Sequence, residues 1–187
     1  MTKLKFIPAD AVTEIASPAN NTSITLKDSA LMVFTDFLKT SPLILDDATS
    51  AIEAERLMRK THVRFKIVVD QYNHFLGVIS SDDLSEQAQL SKANKVTARA
   101  ELSVTDLMTP KAELEAICRA QLDTATIGDV VDVLKDHGHQ HCLVVDTNTG
   151  QICGLFSASD ISRILHLPID IQHRSSFYEI AKLTTLS

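Results

Sequence analysis

The sequence is poor in glycine, proline and aromatic residues: its 187 residues include 5 Gly, 5 Pro and no Trp. So little glycine and proline excludes collagen-like and low-complexity scaffolds. Apolar residues still make up 44% of the chain, and a chain of this length can bury roughly 70% of the surface that its unfolded form exposes. We therefore expect a globular protein whose core needs no disulfide bonds.

Positive charge is also scarce, with 18 Lys and Arg against 24 Asp and Glu, a net charge of -6. This field repels polyanions, so we expect no nucleic-acid partner. The three cysteines, Cys118, Cys142 and Cys153, show no C-x-x-C spacing, which favours a reducing compartment and a role as small core residues. No apolar run reaches the ~20 residues of a membrane span. We expect a cytoplasmic protein with no membrane partner.

One pattern occurs twice in the chain. Residues 67–84 read IVVDQYNHFLGVISSDDL, and residues 143–161 read LVVDTNTGQICGLFSASDI. Both contain a buried hairpin that ends at a serine, the residue type that begins helices. A glycine, a serine and an aspartate recur in register, as Gly77, Ser80 and Asp83 and then as Gly154, Ser157 and Asp160.

Each hairpin follows a stretch with apolar residues at helical spacing. These residues are Ala51, Ala54 and Met58 in the first copy, and Ile127, Val131 and Leu134 in the second. Each copy opens with an entry segment, TDFLKTSPLIL from Thr35 and TDLMTPKAEL from Thr105, whose proline starts an extended piece. Gly138 is predicted to end the second copy's first helix.

These signals predict an α/β (α+β) fold of two strand-helix-strand-strand-helix units, packed with pseudo-twofold symmetry around two equivalent clefts. We place an N-terminal arm at 1–34, the first repeat at 35–87, a linker at 88–104, the second repeat at 105–167 and a helical tail at 168–187. In the tail, Phe177, Ile180, Ala181 and Thr184 share one helical face. That face packs either on its own domain or on a second subunit.

The segments GVISSDDL and GLFSASDI, each preceded by VVD, resemble the cystathionine beta-synthase (CBS) domain, which occurs as tandem pairs called Bateman modules. The resemblance implies a regulatory module that binds AMP, ADP, ATP or S-adenosylmethionine and needs no cofactor. It also implies a homodimer and an unidentified regulated partner protein. The second hypothesis is a structural or adaptor protein with empty clefts that recruits a partner.

Asp83 and Asp160 are the candidate acceptors for a ribose diol, with Ser80 and Ser157 beside them. The alternative is that all four residues are only helix caps. In the second copy, Ser159 precedes the aspartate, and helical spacing puts the Arg163 guanidinium on the same face as Asp160, where it is expected to face a phosphate. The resemblance implies the same role for His141, because the family often carries a basic side chain just before this strand. In the first copy the matching positions hold Asp82 and Glu86, which place two extra negative charges where the phosphate would lie. We therefore expect the ligand mainly in the second cleft, with the first weaker or empty.

Two further readings receive less support. The cluster HGHQH, with His137, His139, His141 and then Cys142, could coordinate a transition metal, but the sequence offers no second group of ligands beside it. We therefore expect no metal site. No nucleophile elbow, P-loop, G-x-G-x-x-G or H-E-x-x-H motif occurs, and the repeats leave too little chain for a catalytic domain. We expect the protein not to be an enzyme.

Overall fold

The computed structural model describes residues 6, 8–10, 13–14, 23–93 and 99–171. Within these residues the strands are β1 (Thr35–Asp36), β2 (Ile44–Asp46), β3 (Phe65–Val69), β4 (Phe75–Ser80), β5 (Thr109–Pro110), β6 (Ala116–Cys118), β7 (His141–Asp146) and β8 (Gln151–Ser157). The α-helices are α1 (Ala51–Thr61), α2 (Glu86–Lys92), α3 (Ile127–His137) and α4 (Ala158–Leu165). None of these helices is both long and apolar enough to cross a membrane. The predicted tail face at Phe177–Thr184 lies outside the described residues.

The first helix of each repeat forms where its apolar spacing predicts. Ser50 caps α1 by accepting a hydrogen bond from the Glu53 amide at 3.2 Å, and Thr126 forms a capping box with Asp129 at the start of α3. Gly138 ends α3 in the left-handed conformation, with φ 67°. The apolar residues named above are buried in both helices, so both predictions are confirmed.

The two hairpins have the same register and the same irregularity. Val68 lies opposite Gly77 in the β3–β4 hairpin, and Val144 lies opposite Gly154 in the β7–β8 hairpin. A β-bulge follows the valine in each case. Since hairpin register fixes which side chains face the core, the repeat read from the sequence is a structural repeat.

The short entry strands are exchanged between the repeats. The sheets have the orders β1-β8-β7-β6 and β2-β3-β4-β5, so β1 joins the second repeat's sheet and β5 joins the first's. Thr35 lies opposite Leu155, and Thr109 lies opposite Val78. The structural equivalent of Thr35 is therefore Thr109, and the alignment of Thr35 with Thr105 was wrong by four residues.

This exchange also joins the hydrophobic cores. Ala30 and Val33, which precede β1, pack in the core of the second repeat, while Val104 and Leu107, which precede β5, pack in the core of the first. A third cluster joins the two sheets face to face, with buried residues Ile67, Val69, Val78 and Leu143. The helices cover the outer sides of the sheets, and the mixed α/β repeat fold is confirmed.

Candidate functional site

The predicted residues of the second repeat line one cavity. This second-repeat cleft has a volume of about 370 Å³, within the usual range for a small-ligand site. Residues 40–43 and 62–65 of the first repeat form its opposite wall. The residues predicted from the sequence that line it are His141, Ser157, Ser159, Asp160 and Arg163.

A carboxylate and a guanidinium lie side by side in this cleft. Arg163 Nη2 donates to Asp160 Oδ1 at 2.8 Å, one turn apart on α4. The Asp160 side chain is 40% exposed and that of Arg163 77%, so both reach the solvent in the cavity. A carboxylate in this setting can accept hydrogen bonds from a sugar diol, and the guanidinium can pair with a phosphate.

Ser157 has two roles in the cleft. It is the N-cap of α4, where its Oγ accepts from the Asp160 amide at 3.4 Å, and the same Oγ lies 2.9 Å from Ser159 Oγ. The capping interpretation of Ser157 therefore holds, and it does not prevent the residue from lining the cavity. The β8 strand runs straight into α4, which sets these hydroxyls beside the first turn of the helix.

The equivalent aspartate of the first repeat is engaged differently. Asp83 Oδ2 accepts from the amide of Ser80 at 2.8 Å and from its hydroxyl at 2.6 Å. Both residues line the first-repeat cleft, a second cavity of about 370 Å³. To hold one ribose hydroxyl on each carboxylate oxygen, Asp83 would have to give up one of these hydrogen bonds, because its Oδ2 already has two donors.

The expectation that Glu86 faces the first-repeat cleft was wrong. The chain makes a turn after Ser80, and helix α2 starts only at Glu86, capped by Ser85. The Glu86 carboxylate accepts from Arg99 at 2.9 Å and lines a separate groove between α1 and α2. Helical spacing from Asp83 therefore does not apply to it.

The first-repeat cleft is nevertheless acidic, through residues that the sequence did not single out. Its lining carboxylates are Asp82, Asp83, Glu113 and Glu115, against the single guanidinium of Arg64. The second-repeat cleft has one carboxylate, Asp160, against the guanidinium groups of Arg64 and Arg163. The predicted charge difference between the clefts is present, because Glu113 and Glu115, which follow β5, supply the negative charge that was expected from Glu86.

The two clefts share a wall at the pseudo-twofold axis. Phe65 and His141 occupy equivalent positions at the start of β3 and β7, and their rings stack with centroids 4.3 Å apart. Both side chains line both cavities. The neighbouring Lys66 is buried and donates to the Ile44 carbonyl at 3.1 Å, so its charge is used inside the first sheet.

The burial of His141 predicts a pH-dependent stability. Desolvation lowers the pKa of His141 to about 4, against a smaller opposing effect of Asp160, so the ring is neutral at pH 7. The unfolded chain takes up this proton near pH 6.5, while the folded chain does so only near pH 4. We expect the free energy of unfolding to fall by about 2 to 3 kcal/mol from this group between pH 7 and pH 4.5.

Urea unfolding at the two pH values, for wild type and for His141→Phe, measures this contribution. Phenylalanine is the residue of the equivalent position, and it removes the titration while keeping a stacked ring. The variant should lose less stability than wild type between the two pH values. Equal losses would show that His141 titrates alike in the folded and unfolded chains.

Comparisons with known proteins agree with the repeat. The sequence profile of the CBS domain matches residues 34–89 and 122–167, more than half of the chain. An uncharacterized conserved protein from Pyrococcus horikoshii superposes with a TM-score of 0.58 at 19% identity, covering 80% of this chain and 100% of its own. Among curated proteins no significant relative is found.

Two further structures of the same fold were solved with ligands. The CBSX2 protein of Arabidopsis thaliana, in complex with AMP, has a TM-score of 0.54 at 23% identity and covers 73% of this chain and 94% of its own. The CBS domain pair of protein MJ0100, in complex with 5′-methylthioadenosine and S-adenosyl-L-methionine, has a TM-score of 0.53 at 18% identity. It covers 76% of this chain and 97% of its own. At these identities the similarity is one of fold.

Proposed function

Because this chain belongs to the CBS domain family, we propose that it is a regulatory module that binds an adenosine-containing ligand, mainly in the second-repeat cleft. The AMP of CBSX2 and the S-adenosylmethionine and methylthioadenosine of MJ0100 support this ligand class. The candidates are AMP, ADP, ATP and S-adenosylmethionine. The module acts as a homodimer and controls a partner protein through its helices.

The observation that carries the proposal is the convergence of sugar and phosphate partners in one cavity. Asp160 accepts from the ribose diol, and the hydroxyls of Ser157 and Ser159 face the sugar-phosphate edge. Arg163 pairs with the phosphate. His141 contributes a neutral imidazole N–H to the phosphate at pH 7, because its pKa is about 4.

The charge difference between the clefts supports the choice of the second one. A phosphate in the first-repeat cleft would lie among four carboxylates and one guanidinium. Like charges at such distances cost up to a few kcal/mol when partly desolvated. Ser80 and Asp83 would therefore hold at most a ligand without phosphate, and more weakly.

A thermal-shift series with AMP, ADP, ATP, S-adenosylmethionine and NAD tests the proposal on the purified chain. At 100 times its Kd a ligand adds about 2.7 kcal/mol to the stability, which corresponds to roughly 5 to 10 °C for a chain of this size. We expect at least one adenosine compound to give such a shift and GMP to give none. If no adenosine compound raises Tm, the proposal fails and the adaptor hypothesis takes its place.

A further inference from the structure

The turn after helix α3 brings together three side chains that could hold a metal ion. His137 is the last residue of α3, and Gly138 reverses the chain with a φ of 67°. The amide of His139 donates back to the Leu134 carbonyl at 2.9 Å. The main chain therefore fixes the backbone positions of the two histidines, and the centroids of their rings lie 6.0 Å apart.

The third side chain comes from a distant part of the sequence. Glu115 lies just before strand β6, which pairs with β7 and so returns the chain to the end of α3. Its Oε2 lies 2.9 Å from His137 Nδ1. One ligand atom from each of Glu115, His137 and His139 lies within 4.8 Å of the others.

We infer that Glu115, His137 and His139 form a binding site for a divalent transition-metal ion such as Zn²⁺. Two imidazoles and one carboxylate are a donor set typical of zinc and related ions, with the remaining positions open to water or to a ligand. Zinc binds these atoms at about 2.1 Å, which brings them to roughly 3.4 Å from one another. All three residues are exposed, so their side chains have room to rotate toward an ion.

This site differs from the one that the sequence pattern suggests. His141 of the HGHQH segment stacks on Phe65, and the following Cys142 is buried in the second-repeat core. Glu115 supplies the ligand that a reading of consecutive residues cannot find. The cluster combines residues from two segments, since Glu115 and His137 are 22 positions apart. Glu115 therefore provides the second group of ligands that the HGHQH segment alone lacks.

The surroundings of the site favour a cation. Glu115 and His139 line the rim of the acidic first-repeat cleft, beside Asp82, Asp83 and Glu113. A concave surface with one sign of charge raises the local concentration of ions of the opposite sign. An ion bound at the rim also offsets part of the negative charge of this cleft.

Isothermal titration of the full chain with zinc chloride at pH 7.5 tests the inference. We expect one ion per chain to bind in a saturable way, and the variants His137→Ala, His139→Ala and Glu115→Gln to weaken that binding roughly tenfold or more. The control is His74→Ala, because His74 Nδ1 also lies 3.0 Å from a carboxylate, that of Asp70, in a two-residue pair. This control should bind zinc as wild type does.

Far-UV circular dichroism checks that the three site variants keep the fold, which we expect because the substituted residues are exposed. Wild type that binds no zinc at about 1 mM ion, a concentration at which even weak sites fill, would overturn the inference. Binding that persists unchanged in all three site variants would also overturn it, since the ion would then lie elsewhere. Neither result involves an adenosine ligand, so the test is independent of the proposed function.

Discussion

Replacing Asp160 by alanine should weaken AMP binding at least tenfold, about 1.4 kcal/mol. In the proposed complex the carboxylate accepts from both hydroxyls of the ribose, and hydrogen bonds to a charged group contribute about 1.5–3 kcal/mol each. The change also frees Arg163, whose Nη2 donates to Asp160 Oδ1. The freed guanidinium can pair with the phosphate of AMP, which adenosine lacks. The affinity for adenosine should therefore fall at least as much as the affinity for AMP.

Calorimetry on two further variants gives the matched controls. Asp123→Ala removes a carboxylate that pairs with Arg119 at 3.2 Å on the surface, and it should leave AMP binding unchanged. Asp83→Ala tests the first-repeat cleft and should have a much smaller effect than Asp160→Ala. Equal effects at Asp83 and Asp160 would contradict the assignment of the ligand to the second-repeat cleft.

The second large effect concerns stability. Gly154→Ala should lower the free energy of unfolding by about 3 kcal/mol, at the upper end of the range for overpacked sites. An added Cβ would lie 2.3 Å from the carbonyl oxygen of Thr35 and 2.3 Å from the ring of Phe34. The carbonyl belongs to the backbone of β1, which pairs with β8 at this position, so rotation of a side chain cannot relieve the contact.

Urea unfolding measures this loss, and thermal unfolding should show a decrease in Tm of roughly 6 to 12 °C. The control is Gly150→Asn, because Gly150 has a φ of 68° with no atom within 4 Å of an added Cβ. Asparagine tolerates this conformation better than most residues, so the control should stay within about 1 kcal/mol of wild type. A Gly154→Ala variant as stable as the control would mean that β1 moves aside freely.

The sequence predicted the repeat and its helices because those signals are local. Apolar spacing placed the buried faces of α1 and α3, and the recurring glycine marked the place where an entry strand passes close to a hairpin. Gly77 shows this as Gly154 does, since an added Cβ there would lie 2.3 Å from the Thr109 carbonyl oxygen. The pattern identified the position, while the structure supplied the physical reason.

The exchange of entry strands could not be read from the sequence. Strands β1 and β5 have two residues each, too few for any periodicity. The shared letters Thr-Asp at Thr35 and Thr105 then misled the alignment. Which sheet such a strand joins depends on long-range pairing, and that is absent from local patterns.

The charges of the clefts were predicted in sign and missed in detail. Ser85 accepts from the amide of Ala88 at 3.3 Å and starts helix α2 five residues after Ser80. That later start removed Glu86 from the cleft. Glu113 ends a short 3-10 helix, and Glu115 lies just before β6. The sheet topology brings both residues to the cavity, so spacing rules had no basis for choosing them.

Because the entry strands are exchanged, the stability of each repeat depends on the other. Neither repeat forms its four-stranded sheet alone, since β1 of the first repeat pairs in the second sheet and β5 of the second repeat pairs in the first. We therefore expect global unfolding to be a single cooperative event, in which both halves are lost together. Occupancy of one cleft then lowers the unfolded fraction of the entire chain, so a ligand bound on one side also protects the far side from proteases.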